Sequence, residues 1–207
     1  MSWIKPKLDK YWRNYDFCCV DVETTGLDLI NDEVISVGAV AIIDGRISKD
    51  GHFYEEISPI KKPSVSSIEV HGLRDGDLEF ARPVMEVIPD LITQMRGNYL
   101  VTHAAWVERA FLSGPLKTSG YKFPKDVIDT AALARFSGYA DQDSKHEPSL
   151  ELLAKKLNLP VYAPHHALGD AMTTAVVFLA LATAIERQLT QKSGEILTLQ
   201  RLLNISK

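Results

Sequence analysis

The chain has 207 residues, of which 45% are hydrophobic and 24% charged, with a formal net charge of −4. That length suits one domain with a sizeable core, and that balance is ordinary for a soluble globular protein. It excludes a strongly basic field over the whole molecule, although a bound metal or a local basic patch can still recruit a polyanion.

Residues 1–15 mix aromatics and cations: Trp3, Lys5, Lys7, Lys10, Tyr11, Trp12, Arg13 and Tyr15. They read as a short helix or arm, which either packs its tryptophans on the domain or offers a surface to nucleic acid or a partner. Three strands follow, Phe17–Val22, Val34–Ile43 and Arg46–Ile57, with Asp44-Gly45 as a two-residue hairpin turn between the last two. Cys18 and Cys19 are neighbours on the first strand and face opposite sides, so reduced, buried thiols in a cytoplasmic protein are expected rather than a disulfide. Ser66–Val70 reads as one helical turn ending at His71-Gly72, and residues 83–95 as a helix with Pro83 in its first turn. Short strands at Tyr99–Val101 and Asp126–Ile128 precede helices at Ala104–Leu112 and from Thr130 to Phe136. Ser149 caps a helix to Leu157, and Ala167–Leu189 is a long helix that Gly194 separates from an amphipathic segment, Ile196–Leu203. Met1–Lys7 holds no apolar signal core, and the longest apolar run, Val176–Ala184, falls short of the ~20 residues of a membrane span, so no membrane is expected. The pattern predicts an α/β domain: a mixed five-stranded sheet, three antiparallel strands first, flanked by helices. The parse is an arm (1–15), one domain (16–189) and a helical tail (190–207).

The first strand ends in Asp21-Val22-Glu23-Thr24-Thr25-Gly26. Side chains alternate along a strand, so Asp21 and Glu23 share a face. Two carboxylates there are costly unless a cation neutralises them, although a lone Asp-x-Glu is also an ordinary polar strand exit. Asp170 opens the long apolar helix and reads as a third ligand or a dipole-favoured helix-start acid. Together Asp21, Glu23 and Asp170 offer oxygen ligands to a hard cation, Mg²⁺ or Mn²⁺. Asp21 can bridge two such ions roughly 3.5–4 Å apart, the spacing of two-metal phosphoryl-transfer sites. Glu108 reads either as a ligand of the second ion, through water, or as a solvated helix residue. Histidine is the usual general base for an attacking water, so His165 reads as that base, or it and His166 are ordinary loop histidines after Pro164. His103 reads as a strand-end histidine with a structural hydrogen bond, or a substrate contact. Asp129 reads as a helix cap or support, and His71 as a turn residue within reach of substrate. The Thr24-Thr25-Gly26 turn offers backbone and hydroxyl groups to a substrate.

The ordered pieces "DVETTGL" (Asp21–Leu27), "DEVISVGAV" (Asp32–Val40), "EVHGL" (Glu69–Leu73), "LVTHAAWVERAFL" (Leu100–Leu112), "VIDTAALAR" (Val127–Arg135) and "HHALGDA" (His165–Ala171) resemble the DEDDh-type 3′–5′ exonucleases, which include the proofreading epsilon subunits of bacterial DNA polymerase III. The resemblance covers about residues 16–185. It implies a ribonuclease H-like fold, two Mg²⁺ or Mn²⁺ ions on Asp21, Glu23, Asp170 and Glu108, and His165 as general base. It also implies that Thr24, Thr25 and Leu27 line the pocket for the terminal nucleotide. One motif departs: the family's His-Asn-Ala-x-Phe-Asp is here His103-Ala104-Ala105-Trp106-Val107-Glu108. The implied activity is release of nucleoside 5′-monophosphates from DNA 3′ ends, single-stranded or frayed. RNA is the alternative substrate, and a degenerate module that binds nucleic acid or a polymerase without cutting is the alternative class. A DNA polymerase subunit is the implied partner, docked through the C-terminal segment unless that segment packs on the domain.

Overall fold

The computed structural model describes residues 10–207. Trp3, Lys5 and Lys7 of the basic arm lie outside the described residues. Three strands come first, β1 (Phe17–Thr24), β2 (Val34–Ile43) and β3 (Arg46–Ser58), each antiparallel to the next. Asp44 and Gly45 make the β2–β3 turn with φ of 51° and 71°, the left-handed pair whose twist matches the flanking strands. There follow α1 (Val65–His71), β4 (Arg82–Pro83), α2 (Val84–Met95), β5 (Tyr99–Thr102), α3 (Trp106–Thr118), β6 (Val127–Asp129), α4 (Thr130–Phe136), α5 (Leu150–Lys156), α6 (Ala167–Ser193) and α7 (Leu199–Ile205).

The strand order is β4-β3-β2-β1-β5-β6, with β1, β5 and β6 mutually parallel. The sheet is mixed and flanked by helices as expected, but it has six strands rather than five. The additional strand, β4, pairs two residues with the end of β3. Pro83, expected inside the first turn of a helix, instead ends this strand and stands at the N-cap of α2. Its missing N–H suits an edge strand that stops at once. α3 starts at Trp106 rather than Ala104, because Ala104 takes a left-handed φ of 62°. The last helix is displaced toward the C-terminus, since the Thr198 hydroxyl accepts from the Arg201 N–H and sets its start.

Alternation along β1 splits the core into two layers. Phe17 and Cys19 face a layer built with α4 to α7, and Cys18, Val20 and Val22 face one built with α2 and α3. Both thiols are free and buried, and burial pushes Cys18 up to about 12. Asp21 and Glu23 continue the Phe17–Cys19 row and so face α6. By length and composition α6 is apolar enough to cross a membrane. In the fold, Ala171, Ala175, Phe178, Leu181 and Ile185 make it the buried centre of the larger layer.

The first turn of α6 lies directly on β2. A Cβ at Gly38 would sit 2.3 Å from the Ala167 carbonyl carbon and oxygen, so only glycine lets helix backbone touch sheet backbone there. Gly38 is the register partner of Asp21, and this contact delivers the start of α6 to the end of β1.

Both described termini are part of the same core. Trp12 is fully buried, with its ring 5.7 Å from that of Phe178 and 6.2 Å from that of Phe17. Its backbone N–H donates to the Leu197 carbonyl at 3.1 Å. Leu199, Leu202 and Leu203 of α7 are buried in that layer too. Of the two fates open to the tail, packing on the domain is the one observed. Trp12→Ala should therefore lower unfolding free energy by about 3–5 kcal/mol, as for a core aromatic. Ile196→Ala, at a position 60% exposed, should stay within about 0.5 kcal/mol of the parent. Urea unfolding of both variants checks this.

Candidate active site

The parallel strands β1, β5 and β6 end along one edge, where open α/β sheets gather functional groups. β1 brings Asp21 and Glu23 to that edge, and the first turns of α6 bring Asp170. One carboxylate oxygen from each lies within 4.8 Å of the other two. An all-oxygen cluster of this kind suits a hard divalent cation. Burial raises all three carboxyls above their ordinary range. For Asp21 the charges of Glu108, Glu23 and Asp170 add to it, and for Glu23 the charge of Asp170 brings the carboxyl to about 7.

β5 leads through His103, Ala104 and Ala105 into α3 and places Glu108 two residues into that helix. Glu108 is 2% exposed, which overturns its reading as a solvated helix residue. Its Oε2 is buried with no hydrogen-bond partner, and burial lifts its carboxyl to about 8. It stands outside the group of three, yet it is the leading charge acting on Asp21. A buried carboxylate oxygen without a donor is costly, and a cation ligated there removes the cost.

Asp129 holds the approach to Glu108. Its Oδ1 accepts from the Ala104 N–H at 3.1 Å and the Ala131 N–H at 2.9 Å, and its Oδ2 accepts from the Ala105 N–H at 3.2 Å. It is thus the expected cap of α4, and it also fixes the left-handed Ala104 turn ahead of α3.

His165 is exposed and has φ of 59°, a conformation that histidine enters more readily than most residues. Its N–H donates to Asp170 Oδ2 at 2.9 Å, which ties the candidate base to a candidate ligand. The ring of His166 stacks on Tyr54 with centroids 4.4 Å apart. The turn before α6 is tight, since a Cβ on Gly169 would fall 2.4 Å from the Tyr162 and Ala163 carbonyl oxygens.

The loop after β1 is braced from within. The Thr24 hydroxyl donates to the Gly26 carbonyl at 2.6 Å. Thr25 is fully buried, and its hydroxyl donates to Asp32 Oδ1 at 2.8 Å while accepting the Glu33 N–H. Asp32 is in turn paired with Lys61 at 2.6 Å. A Cβ on Gly26 would collide with the Asp32 carboxylate. These hydroxyls, read from sequence as free for substrate, are engaged inside the loop, which leaves Leu27, 69% exposed, as its outward side chain.

His71 ends α1. Its Nδ1 accepts the Leu73 N–H at 3.0 Å, which places the proton on Nε2. That atom is turned toward the Thr24 backbone without reaching hydrogen-bond geometry. Burial, and then the charge of the nearby His165, lower its basicity, so it belongs to the same cleft. His103 does not face it. Its Nδ1 contacts Thr130 Oγ1 at 2.8 Å and its Nε2 the Pro148 carbonyl at 2.6 Å, so the structural role is the one its geometry fits.

Sequence reading passed over Tyr54, Ser36 and Gly38. They come to the site by register across β2 and β3, opposite Gly38, Glu23 and Asp21 respectively. No spacing or motif displays that pairing.

An exonuclease family model (RNase T) matches residues 18–178. The chain is 34% identical over 189 residues to a DNA polymerase III PolC-type of Thermotoga petrophila, covering 91% of this chain and 13% of that protein. It is 31% identical over 185 residues to a DNA polymerase III subunit epsilon-like protein of Rhodobacter capsulatus, covering 88% and 26%. The chain thus spans an eighth to a quarter of the length of these curated relatives. Among solved structures it shares its fold with exonuclease X in complex with 5′ overhanging duplex DNA (TM-score 0.66, 21% identity, covering 92% of this chain and 99% of that one). It shares it also with the nuclease domain of 3′hExo, a DEDDh family member bound to rAMP (TM-score 0.65, 18% identity, 92% and 97%). The chain belongs to this exonuclease family, as an enzyme domain with the ribonuclease H-like fold of the DEDDh exonucleases.

The carboxyl cluster sets a pH dependence whose sign is opposite to that of a salt-bridged acid. Glu23 and Glu108 hold protons up to about 7 and 8, whereas an ordinary glutamate releases them near 4.5. Between about 4.5 and 8 the folded, metal-free protein binds more protons than the unfolded chain, so its stability falls as pH rises through that window. Tm measured in EDTA should therefore drop from pH 5 to pH 8. Divalent metal competes with those protons and so should raise Tm more at pH 8 than at pH 5; at 100 times its Kd the stabilisation itself is about 2.7 kcal/mol.

Proposed function

We propose that this domain is a metal-dependent 3′–5′ exonuclease that hydrolyses the terminal phosphodiester bond at single-stranded or frayed 3′ ends of DNA and releases nucleoside 5′-monophosphates. The observation that carries the reading is the meeting of Asp21, Glu23 and Asp170 within 4.8 Å, with His165 hydrogen-bonded to Asp170 at their rim. Asp21, Glu23, Asp170 and the unpaired Oε2 of Glu108 would hold Mg²⁺ or Mn²⁺, two ions in this reading, as an all-oxygen donor set that suits a hard cation. Divalent ions bound there supply positive charge for the attacking and leaving oxygens of an in-line displacement.

The chain's own groups do the rest. His165 takes the proton of the attacking water, and the Asp170 carboxylate holds its backbone in the conformation that presents the ring. Leu27 flanks the terminal nucleotide as an apolar contact, and His71 backs the loop beside it with its Nε2 buried toward the Thr24 backbone. The braced Thr24–Gly26 loop gives that nucleotide a rigid wall.

DNA is the favoured substrate because relatives above 30% identity are named for DNA polymerase III. RNA is the second reading, because one structural neighbour is bound to rAMP. A polymerase subunit remains the proposed partner, through a surface other than the buried face of α7, and the cytoplasm of a bacterium the proposed location. A degenerate binding module is disfavoured by Glu108, which retains its carboxylate at a buried position.

Degradation of a 5′-labelled single-stranded DNA oligomer, beside a matched RNA oligomer, tests this in Mg²⁺ and Mn²⁺. The expected result is a metal-dependent ladder that shortens from the 3′ end, is faster on DNA, and is absent in Asp21→Ala. Cleavage by folded Asp21→Ala at the parent rate would sink the two-metal reading. Glu108→Asp should keep the charge but misplace it, with a loss on the order of 10²-fold in kcat.

A further inference from the structure

One row of side chains crosses the sheet from Asp21 on β1, through Gly38 on β2, to Tyr54 on β3. The first turn of α6 rests on all three. Asp170 meets Asp21 and Glu23, the Ala167 backbone meets Gly38, and the His166 ring lies on Tyr54 at 4.4 Å and 23° between planes.

The turn that leads into α6 is strained. Ala163 and His165 both have positive φ, 32° and 59°, and such conformations persist only where the surroundings enforce them. His166 occupies the N-cap of α6 but makes no capping hydrogen bond with its side chain, so its ring is committed to the stack. Gly38 offers flat backbone, which permits close approach but does not oppose sliding. The aromatic pair supplies the lateral stop, since an offset stack has a preferred position as well as a preferred distance. Tyr54 is itself held, because its hydroxyl donates to Glu56 Oε1 at 3.3 Å.

We propose that Tyr54 is a positioning residue for hydrolysis: by stacking on His166 it holds His165 and Asp170 in register with Asp21 and Glu23. This rests on the exonuclease reading, which gives His165 its role as base. Tyr54 touches no reacting atom. It acts through a turn whose displacement by about 1 Å is enough to cost on the order of 10²-fold in rate.

The test compares Tyr54→Leu, Tyr54→Phe, His166→Leu and the Tyr54→Leu/His166→Leu double variant in the whole chain. Three readouts are taken: Tm, the NMR ring signals of His165 and His166, and kcat and KM on the 5′-labelled DNA oligomer. The expected result for Tyr54→Leu is a kcat loss of about tenfold or more with KM within about twofold, consistent with a displaced rather than a missing group. Tyr54→Phe, which keeps the ring, should stay within about threefold of the parent. The double variant should be no worse than the poorer single, because both remove one interaction. Parent-like kcat in a folded Tyr54→Leu overturns the proposal. So does a Tyr54→Phe as poor as Tyr54→Leu, which would assign the effect to the hydroxyl, and so does full additivity in the double variant. If the parent itself hydrolyses nothing, the exonuclease reading fails, and the NMR decides the seat alone. His165 signals that shift in Tyr54→Leu but not in Tyr54→Phe support it, and signals unmoved in both overturn it.

Discussion

Four carboxyl groups gather near the end of β1, and the cost of burying them is the constraint on which the rest of the structure depends. Burial is the larger part of what raises Asp21, Glu23, Asp170 and Glu108; for Asp21 the charges of Glu108, Glu23 and Asp170 come next, and for Glu23 that of Asp170. Such a cluster stores unfavourable energy in the folded state until protons or cations neutralise it. A fold that gathers it must hold each acid on an element that cannot drift away, and the four sit on β1, α3 and α6 for that reason.

Each of those elements is seated by a specific close contact. α6 is seated by backbone against backbone at Gly38, where any side chain would intervene. α3 is pinned by the Asp129 carboxylate, which gathers three N–H groups and keeps Ala104 left-handed. The loop after β1 is closed by Thr25, Asp32 and Lys61. The strained dihedrals lie where these pins act, at Ala104 and His165, next to the groups that do chemistry. Behind them the anchorage is apolar. Trp12 and α7 close the outer layer around α6, so the chain ends stabilise the helix that carries Asp170.

Much of this was legible in the sequence because the informative residues are local. Asp21 and Glu23 announce a shared face by their spacing, Asp44-Gly45 announces its turn, and the apolar length of α6 announces a core helix. What was not legible depends on pairing between distant segments. β4 is two residues long and has no periodicity to detect. Glu108 sits at a helical position that periodicity alone assigns to another face, and only the packing of α3 against β1 buries it. His103 reads from sequence as a structural strand-end histidine, with a substrate contact as the other role, but the groups it bonds lie in distant segments, Thr130 and Pro148 on its two nitrogens. Tyr54 carries no motif at all. Its place beside the site follows from the register of three strands and the landing point of α6.

The altered second motif bears on whether the site is retained or decayed. His103-Ala104-Ala105-Trp106-Val107-Glu108 lacks the asparagine and the aspartate of the pattern it resembles. Asparagine tolerates the left-handed region better than alanine does, yet Ala104 occupies that region, held by Asp129. The backbone geometry of the turn is therefore upheld from outside, without the residue that would favour it locally. Glu108 is the sharper case. A site drifting without selection for chemistry would gain stability by replacing a buried, unpaired carboxylate with a neutral or apolar side chain. This chain instead keeps a carboxyl group at 2% exposure, with one oxygen unpartnered, as the leading charge acting on Asp21. Under the proposed function a cation offsets that cost, and the longer side chain is a changed reach to the same ion rather than a lost ligand.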